Sequence, residues 1–294
     1  MRLRKIICPI DASVGSSAAL QVAARLARDH DCELVLVNAW YLPPAMLAGD
    51  FTYPSTLIRE LDSEATTGLA SAVSEARALG ATRCSSLVLE GQPWQMIVEA
   101  AEQHPTSDLI VMGTHGRTGL ARVLLGSVAE MVIRHAPCSV LAIPPGRTDT
   151  RSEHALCPIE FSISSRRALA LAATIVTGAH PTLTLLHVIE PPRSYSEEPR
   201  VFELEHAMRR EAERVLEQWA RSLEVPATVT TRLVVRVGRP GDEINAELEA
   251  GPCELVAMGS HGRTGLRRLV LGSVAEHTMR TAGRAVLVAR ESIP

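Results

Sequence analysis

Gly113-Thr-His-Gly-Arg-Thr-Gly-Leu-Ala-Arg-Val-Leu-Leu-Gly-Ser-Val-Ala-Glu130 returns almost unchanged as Gly259-Ser-His-Gly-Arg-Thr-Gly-Leu-Arg-Arg-Leu-Val-Leu-Gly-Ser-Val-Ala-Glu276. Outward from this stretch, Cys8-Pro-Ile-Asp11 matches Cys157-Pro-Ile-Glu160, and Gly91-Gln-Pro93 matches Gly238-Arg-Pro240. The landmarks keep nearly constant offsets, so the repeat spans each half of the 294 residues. It is a domain duplication and not a solenoid, whose period is several-fold shorter. The division falls in the polar, turn-rich segment Pro144–Arg151, which sets two domains, 1–146 and 152–294.

Each half alternates strands and helices. Leu3–Ile10 is a continuous apolar run bounded by turn signals, which predicts a buried strand. Alanine and leucine at helical spacing predict a helix over Ser16–His30, followed by a strand over Glu33–Ala39 and a long helix over Ser55–Leu79. Arg83–Glu90 and Asp108–Gly113 read as strands either side of Pro93–His104, a helix opened by a first-turn proline. Ser127–His135 reads as helix and Ser139–Ile143 as the closing strand, and the same order runs from His154 to Arg290. This alternation predicts an α/β fold with a parallel sheet covered on both faces by right-handed crossovers.

The repeated stretch has the spacing Gly-x2-Gly-x9-Gly-Ser: Gly113, Gly116, Gly126 and Ser127, then Gly259, Gly262, Gly272 and Ser273. The first glycine ends a buried strand, after Met112 in one half and Met258 in the other, and the last Gly-Ser opens a helix. Ligands of open parallel sheets sit outside the carboxyl ends of the strands. A helix start offers unpaired N–H groups and partial positive charge, so it suits phosphate, and glycine lets backbone N–H groups approach oxygens closely. Arg117 and Arg263 could offset phosphate charge, and Ser127 and Ser273 could add a hydroxyl contact. The plainer reading, a turn plus an N-cap, suits a single copy. Two near-identical copies in halves that share little over Phe51–Gly80 and Val201–Leu223 favour a binding loop. His115 and His261 read by default as solvent-facing turn residues, with a phosphate or metal contact as the alternative, and no second His or Cys is placed to complete a zinc site. Thr118 and Thr264 read as turn residues rather than phosphoacceptors. Asp11 and Glu160 end the first strand of their halves, where a carboxylate faces a base or ribose or merely precedes a helix.

Composition closes other routes. The charge of −3 supplies no basic footprint for nucleic acid. Lys5 is the only lysine, so a Walker A loop cannot exist and Schiff-base chemistry has no evident home. Aromatics are 3% of the chain, which leaves a core of Ala, Val, Leu and Ile. Six scattered cysteines without a C-x-x-C pair read as buried thiols. No early run is long and apolar enough for a signal or a membrane span, so a cytoplasmic location without membrane insertion is expected.

Pro9-Ile10-Asp11, the glycine loop and Ser139-Val-Leu-Ala-Ile143 together resemble the universal stress protein family, over nearly the whole chain as two fused copies. The resemblance implies two tandem, doubly wound, Rossmann-like five-stranded parallel sheets of strand order 3-2-1-4-5. It also implies ATP (or ADP or AMP), with Mg2+. Asp11 and the strand end at Ala39 would take the adenosine, and Gly113, Gly116, Gly126, Ser127 and Val128 the ribose and phosphates. The matching positions in the second half are Val188, Gly259, Gly262, Gly272, Ser273 and Val274. There the sequence departs: Glu160 replaces Asp11, and Phe161-Ser-Ile replaces Ala12-Ser-Val. The first half is therefore expected to bind the nucleotide more tightly.

No carboxylate in the loop is placed to activate water, so binding is favoured over catalysis, with at most slow ATP hydrolysis. The expected role is a stress-response regulator whose nucleotide sets its conformation or the choice of a regulatory protein partner. A nucleotidyl-transferring or amidotransferring ATPase, a flavin-linked electron-transfer subunit and a nucleotide-free scaffold are the alternatives. Family analogy adds pairing of the halves through their last strands as a pseudo-dimer, with further dimerisation of the chain. The proline- and aromatic-bearing loops Trp40–Pro54 and Glu190–Pro199 read as lids or as connectors.

Overall fold

The computed structural model describes residues 2–42, 53–104, 106–115, 125–146, 151–191, 199–260 (side chains from 204) and 271–290. The chain divides at Arg151 into two compact units. In the first, β1 (Lys5–Pro9), α1 (Val14–His30), β2 (Glu33–Trp40), α2 (Ser55–Ala78), β3 (Cys84–Glu90), α3 (Pro93–Gln103), β4 (Leu109–Gly113), α4 (Ser127–His135) and β5 (Ser139–Ile143) alternate along the chain. All the pairings are parallel, in the order β3-β2-β1-β4-β5. The second unit repeats this with β6 (His154–Pro158), α5 (Ile163–Ile175), β7 (Thr182–Ile189), α6 (Pro199–Arg221), β8 (Thr230–Val237), α7 (Pro240–Ala250), β9 (Leu255–Gly259), α8 (Ser273–Thr281) and β10 (Ala285–Ala289). Its order is β8-β7-β6-β9-β10. Both units thus have the expected 3-2-1-4-5 arrangement, and a crevice opens where the order reverses between the first and fourth strands.

The central strands are fully buried, through Ile6, Ile7, Leu34, Leu36, Leu109 and Ile110 in the first unit and Leu156, Leu183, Leu185 and Val256 in the second. With few aromatic rings available, small residues let the helices lie close: Ala19, Ala23 and Ala24 of α1 have no exposed surface. Helix α1 starts at Val14, two residues before the sequence-based start, because Ser13 is its N-cap and its Oγ accepts from Ser16 N at 3.1 Å. Ser162 does the same for α5, accepting from Ser165 N at 3.0 Å.

All six cysteines are free and buried, as expected. Burial pushes the Cys8 and Cys157 thiols far above their ordinary range, and Cys32 up to about 11. Lys5 lies at the start of β1, the end remote from the crevice, where Nζ is 3.0 Å from Glu33 Oε2 and 3.2 Å from His104 Nδ1. Among the described residues, no helix is long and apolar enough to cross a membrane.

Candidate functional site

In the first unit the carboxyl ends of β1, β2 and β4 and the start of α4 border one cleft of about 1340 Å³. That exceeds the roughly 300–1,000 Å³ of an ordinary small-ligand site. Pro9, Ile10, Asp11, Ala39, Met112, Gly113, His115, Gly126, Ser127 and Val128 all line it. Gly116 and Arg117, and His261, Gly262 and Arg263 of the second unit, lie outside the described residues, as do Thr118 and Thr264.

The strand ends are fixed by backbone bonds. Ile10 N donates to Val37 O at 2.8 Å, and Asn38 Nδ2 donates to Ile10 O at 2.8 Å. Asp11 Oδ1 accepts from Ser13 N at 3.0 Å, which turns the chain from β1 into α1. Ala12 between them takes a left-handed φ of 61°, a conformation that costs a side-chain-bearing residue about 1–2 kcal/mol.

The glycines have a packing duty that the sequence reading did not assign. A Cβ on Gly113 would stand 2.7 Å from Gly15 C, and one on Gly15 would stand 2.5 Å from His115 O. A Cβ on Gly126 would stand 2.8 Å from Thr114 O, the carbonyl to which Gly126 N donates at 2.8 Å. These glycines seat α1 and α4 directly on the end of β4. Gly126 is the N-cap of α4, and among the described residues no side chain caps that helix. Ser127 is exposed, so the first turn of α4 presents its N–H groups at the cleft.

Among the described residues, two cleft side chains carry buried nitrogens without a hydrogen-bond partner, His115 Nε2 and Trp40 Nε1. The expectation of a solvent-facing His115 is corrected: the residue is half-buried, with Nδ1 2.9 Å from Thr114 Oγ1. A buried polar atom left unpaired costs about 1–3 kcal/mol, which a ligand acceptor reaching it would relieve. Asn38, Trp40 and Gly15 were missed by the sequence reading. Only Gly15 carried a local signal, a glycine in a first helical turn where propensity disfavours it.

In the second unit the loop ends are built alike. Gly272 N donates to Ser260 O at 2.9 Å, Ser260 N donates to Ala289 O at 2.9 Å, and Gly272 begins α8 without a side-chain cap. Ser273 is exposed, Met258 is buried beside Gly259, and Val188 and Val274 pack on the Leu156, Leu186 and Ile244 cluster. The opposite end differs. Glu160 Oε1 accepts from Ser162 Oγ, where Asp11 accepts from a backbone N–H. His187 takes the place of Asn38, its Nδ1 2.7 Å from Ile159 O. Gly15 is replaced by Ser164, whose Cβ would lie 2.8 Å from a Cβ on Gly259. Among the described residues, no cluster of three or more His, Cys, Asp or Glu side chains could hold a metal ion.

Comparison with known proteins agrees with this fold. The model of the universal stress protein family matches residues 2–144 and again 152–290. A universal stress protein of Mycobacterium tuberculosis is 30% identical over 301 residues, covering 98% of this chain and 97% of its own. One from Methanocaldococcus jannaschii is 37% identical over 143 residues, 48% of this chain and 81% of its own. The crystal structure of a universal stress protein from Archaeoglobus fulgidus covers 99% of both chains with a TM-score of 0.71 at 21% identity, a likeness of fold. Two copies of one domain, matched twice by one family model and once end to end by a relative, make this chain a tandem member of the universal stress protein family.

Proposed function

We propose that the first unit binds an adenine nucleotide, ATP with Mg2+, and that the chain serves as a cytoplasmic stress-response regulator through the bound state. The observation that carries this reading is the convergence of Asp11, the strand ends at Ala39 and Gly113, and the uncapped start of α4 on one cleft. A helix start without a side-chain cap suits an anion, and Asp11 and Ala39, which line the same cleft, would take the base and ribose. Gly126, Ser127 and Val128 would hold phosphate oxygens through backbone N–H groups, with Gly116 and Arg117 completing the loop. Trp40 Nε1 and His115 Nε2 are the buried atoms that a ligand would satisfy. Mg2+ would be carried on the phosphates, its usual mode where a protein offers few carboxylates. The lone lysine is engaged far from the cleft, which supports binding over phosphoryl transfer.

The test is to denature freshly purified protein and identify what is released by chromatography, then to titrate the emptied protein with ATP. Release of adenine nucleotide near one equivalent, or binding on titration, is the expected result. A clean supernatant together with a flat titration would refute nucleotide binding.

A further inference from the structure

The cleft of the first unit is lined at its base end by Ala12, Ser17 and Asn38. Their counterparts in the second unit are Phe161, Arg166 and His187. The match is fixed by register and capping: Ile10 and Ile159 donate to Val37 and Leu186, and Ser13 and Ser162 cap equivalent helices. In the second unit these residues pack together around Trp219. The Phe161 ring lies 4.7 Å from that of His187 and 6.0 Å, edge on, from that of Trp219, and the Arg166 guanidinium carbon is 5.4 Å from the Trp219 ring. Two members are anchored by hydrogen bonds. His187 is bonded to Ile159 O, and Arg166 donates to Ser222 O at 3.1 Å and to Ser222 Oγ at 3.0 Å.

Backbone geometry says where the Phe161 ring goes. Phe161 has φ 65° and Ala12 has φ 61°, so both Cβ atoms leave equivalent turns in the same sense. Ala12 borders the first cleft. The Phe161 ring meets His187, the counterpart of Asn38, which lines the first cleft, so the ring lies on the side of the turn where that cleft opens.

We infer that Phe161 is a built-in plug, standing where the adenine ring would lie, and that it closes the second unit to purine nucleotides. Loss of the base end is therefore caused by this ring and its aromatic seat, and only secondarily by the longer Glu160 side chain. The anion-binding end at Gly272 and Ser273 is left intact but without a partner for the base. The inference rests on the reading of the first cleft as a nucleotide site.

The experiment uses 2-azidoadenosine triphosphate on the full chain, with peptide mapping of the photolabel and titration of ATP stoichiometry. The unaltered chain should carry label only in the first half and bind about one equivalent. Phe161→Ala, which restores the residue found at position 12, should add label in the second half and raise the stoichiometry toward two, alone or together with Glu160→Asp. Phe161→Gly is the second variant, since glycine takes positive φ without strain, and far-ultraviolet circular dichroism identifies which variants are folded. Label in the second half of the unaltered chain would overturn the inference. So would label there in Glu160→Asp alone, because the ring would still be in place, or its absence from every folded variant lacking the ring. Failure to label the first half in any chain would instead refute the reading of the first cleft, and a gain in the second half of Phe161→Ala would still uphold the plug.

Discussion

The two units share a loop and differ in what stands around it. In both, the glycine before α4 or α8 donates to the carbonyl of the residue following the fourth strand, so this end of the loop is held alike by backbone. The opposite end of the cleft is made of side chains, and there Ala12, Ser17 and Asn38 of the first unit correspond to Phe161, Arg166 and His187 of the second. A second divergence lies on the sheet face. Glu247 of α7 is buried and paired with Arg232 and with Arg236, whose Nε is 3.0 Å from Oε2. The first unit has Ala100, Ser85 and Leu89 at these positions. The duplicated units thus keep what backbone bonds hold and differ where side chains alone line the cleft.

The largest effect expected is on stability, and in one unit only. Glu247→Ala removes the buried carboxylate that Arg232 and Arg236 share, and leaves Arg236 only its longer contact with Glu243 at 3.5 Å. Breaking a fully buried pair costs about 3–5 kcal/mol, and the partial exposure of Arg232 and Arg236 reduces this to about 2–3. Denaturant unfolding followed in variants keeping only Trp219, or only Trp94, should show the loss in the second unit alone. Burial opposes the charge on Glu247, but hydrogen bonds and attraction from the two arginines outweigh it and hold the carboxyl below its ordinary 4.5. A folded value below the unfolded one gives stability that is complete above about 4.5 and lost as pH falls through the folded value. The gap between the unaltered chain and Glu247→Gln should narrow in acid, and a constant gap would refute the pairing.

Gly15→Ala comes next. Its Cβ would meet His115 O, and overpacking of this kind costs about 1–3 kcal/mol. Ser164→Ala, at the same point of the second unit, adds no atom and removes one buried hydroxyl, which should cost about 1 kcal/mol or less. Thermal unfolding of both variants makes the comparison, and equal losses would mean that the two helix seats do not differ. A smaller effect is expected on affinity. Asp11→Ala should weaken ATP binding about tenfold, near 1.4 kcal/mol, while Glu160→Ala moves it less than about twofold, both read by calorimetric titration. The smallest contrast is between Cys8 and Cys157. Buried thiols with strongly raised pKa react slowly, so alkylation of the native protein should be negligible at both and appear only on unfolding.

How far the sequence carried the fold follows from local signals. The bounds of α4 and β5 could be read directly, because Gly126-Ser127 opens the helix and Ser139–Ile143 is an unbroken apolar run. The start of α1 was placed two residues late, since Ser13 was not recognised as its cap. Gly113 was legible as a required glycine, although the packing reason, contact with the backbone of Gly15, needs α1 folded onto β4. Trp40 and Asn38 carry no motif, and their place in the cleft depends on the register between β1 and β2. The replacement of Ala12-Ser-Val by Phe161-Ser-Ile was visible. That its ring rests on His187 and Trp219 was not, because those partners come from β7 and α6.

The ion pair at the foot of β1 has a consequence for how this protein can be altered after synthesis. Lys5, the sole lysine, has a side chain 12% exposed and already held by Glu33. Acylation there would have to break that pair and bury a neutral amide beside an abandoned carboxylate. Lysine-directed marks, so often the means by which cells tag and retune their proteins, therefore have almost no purchase on its folded form.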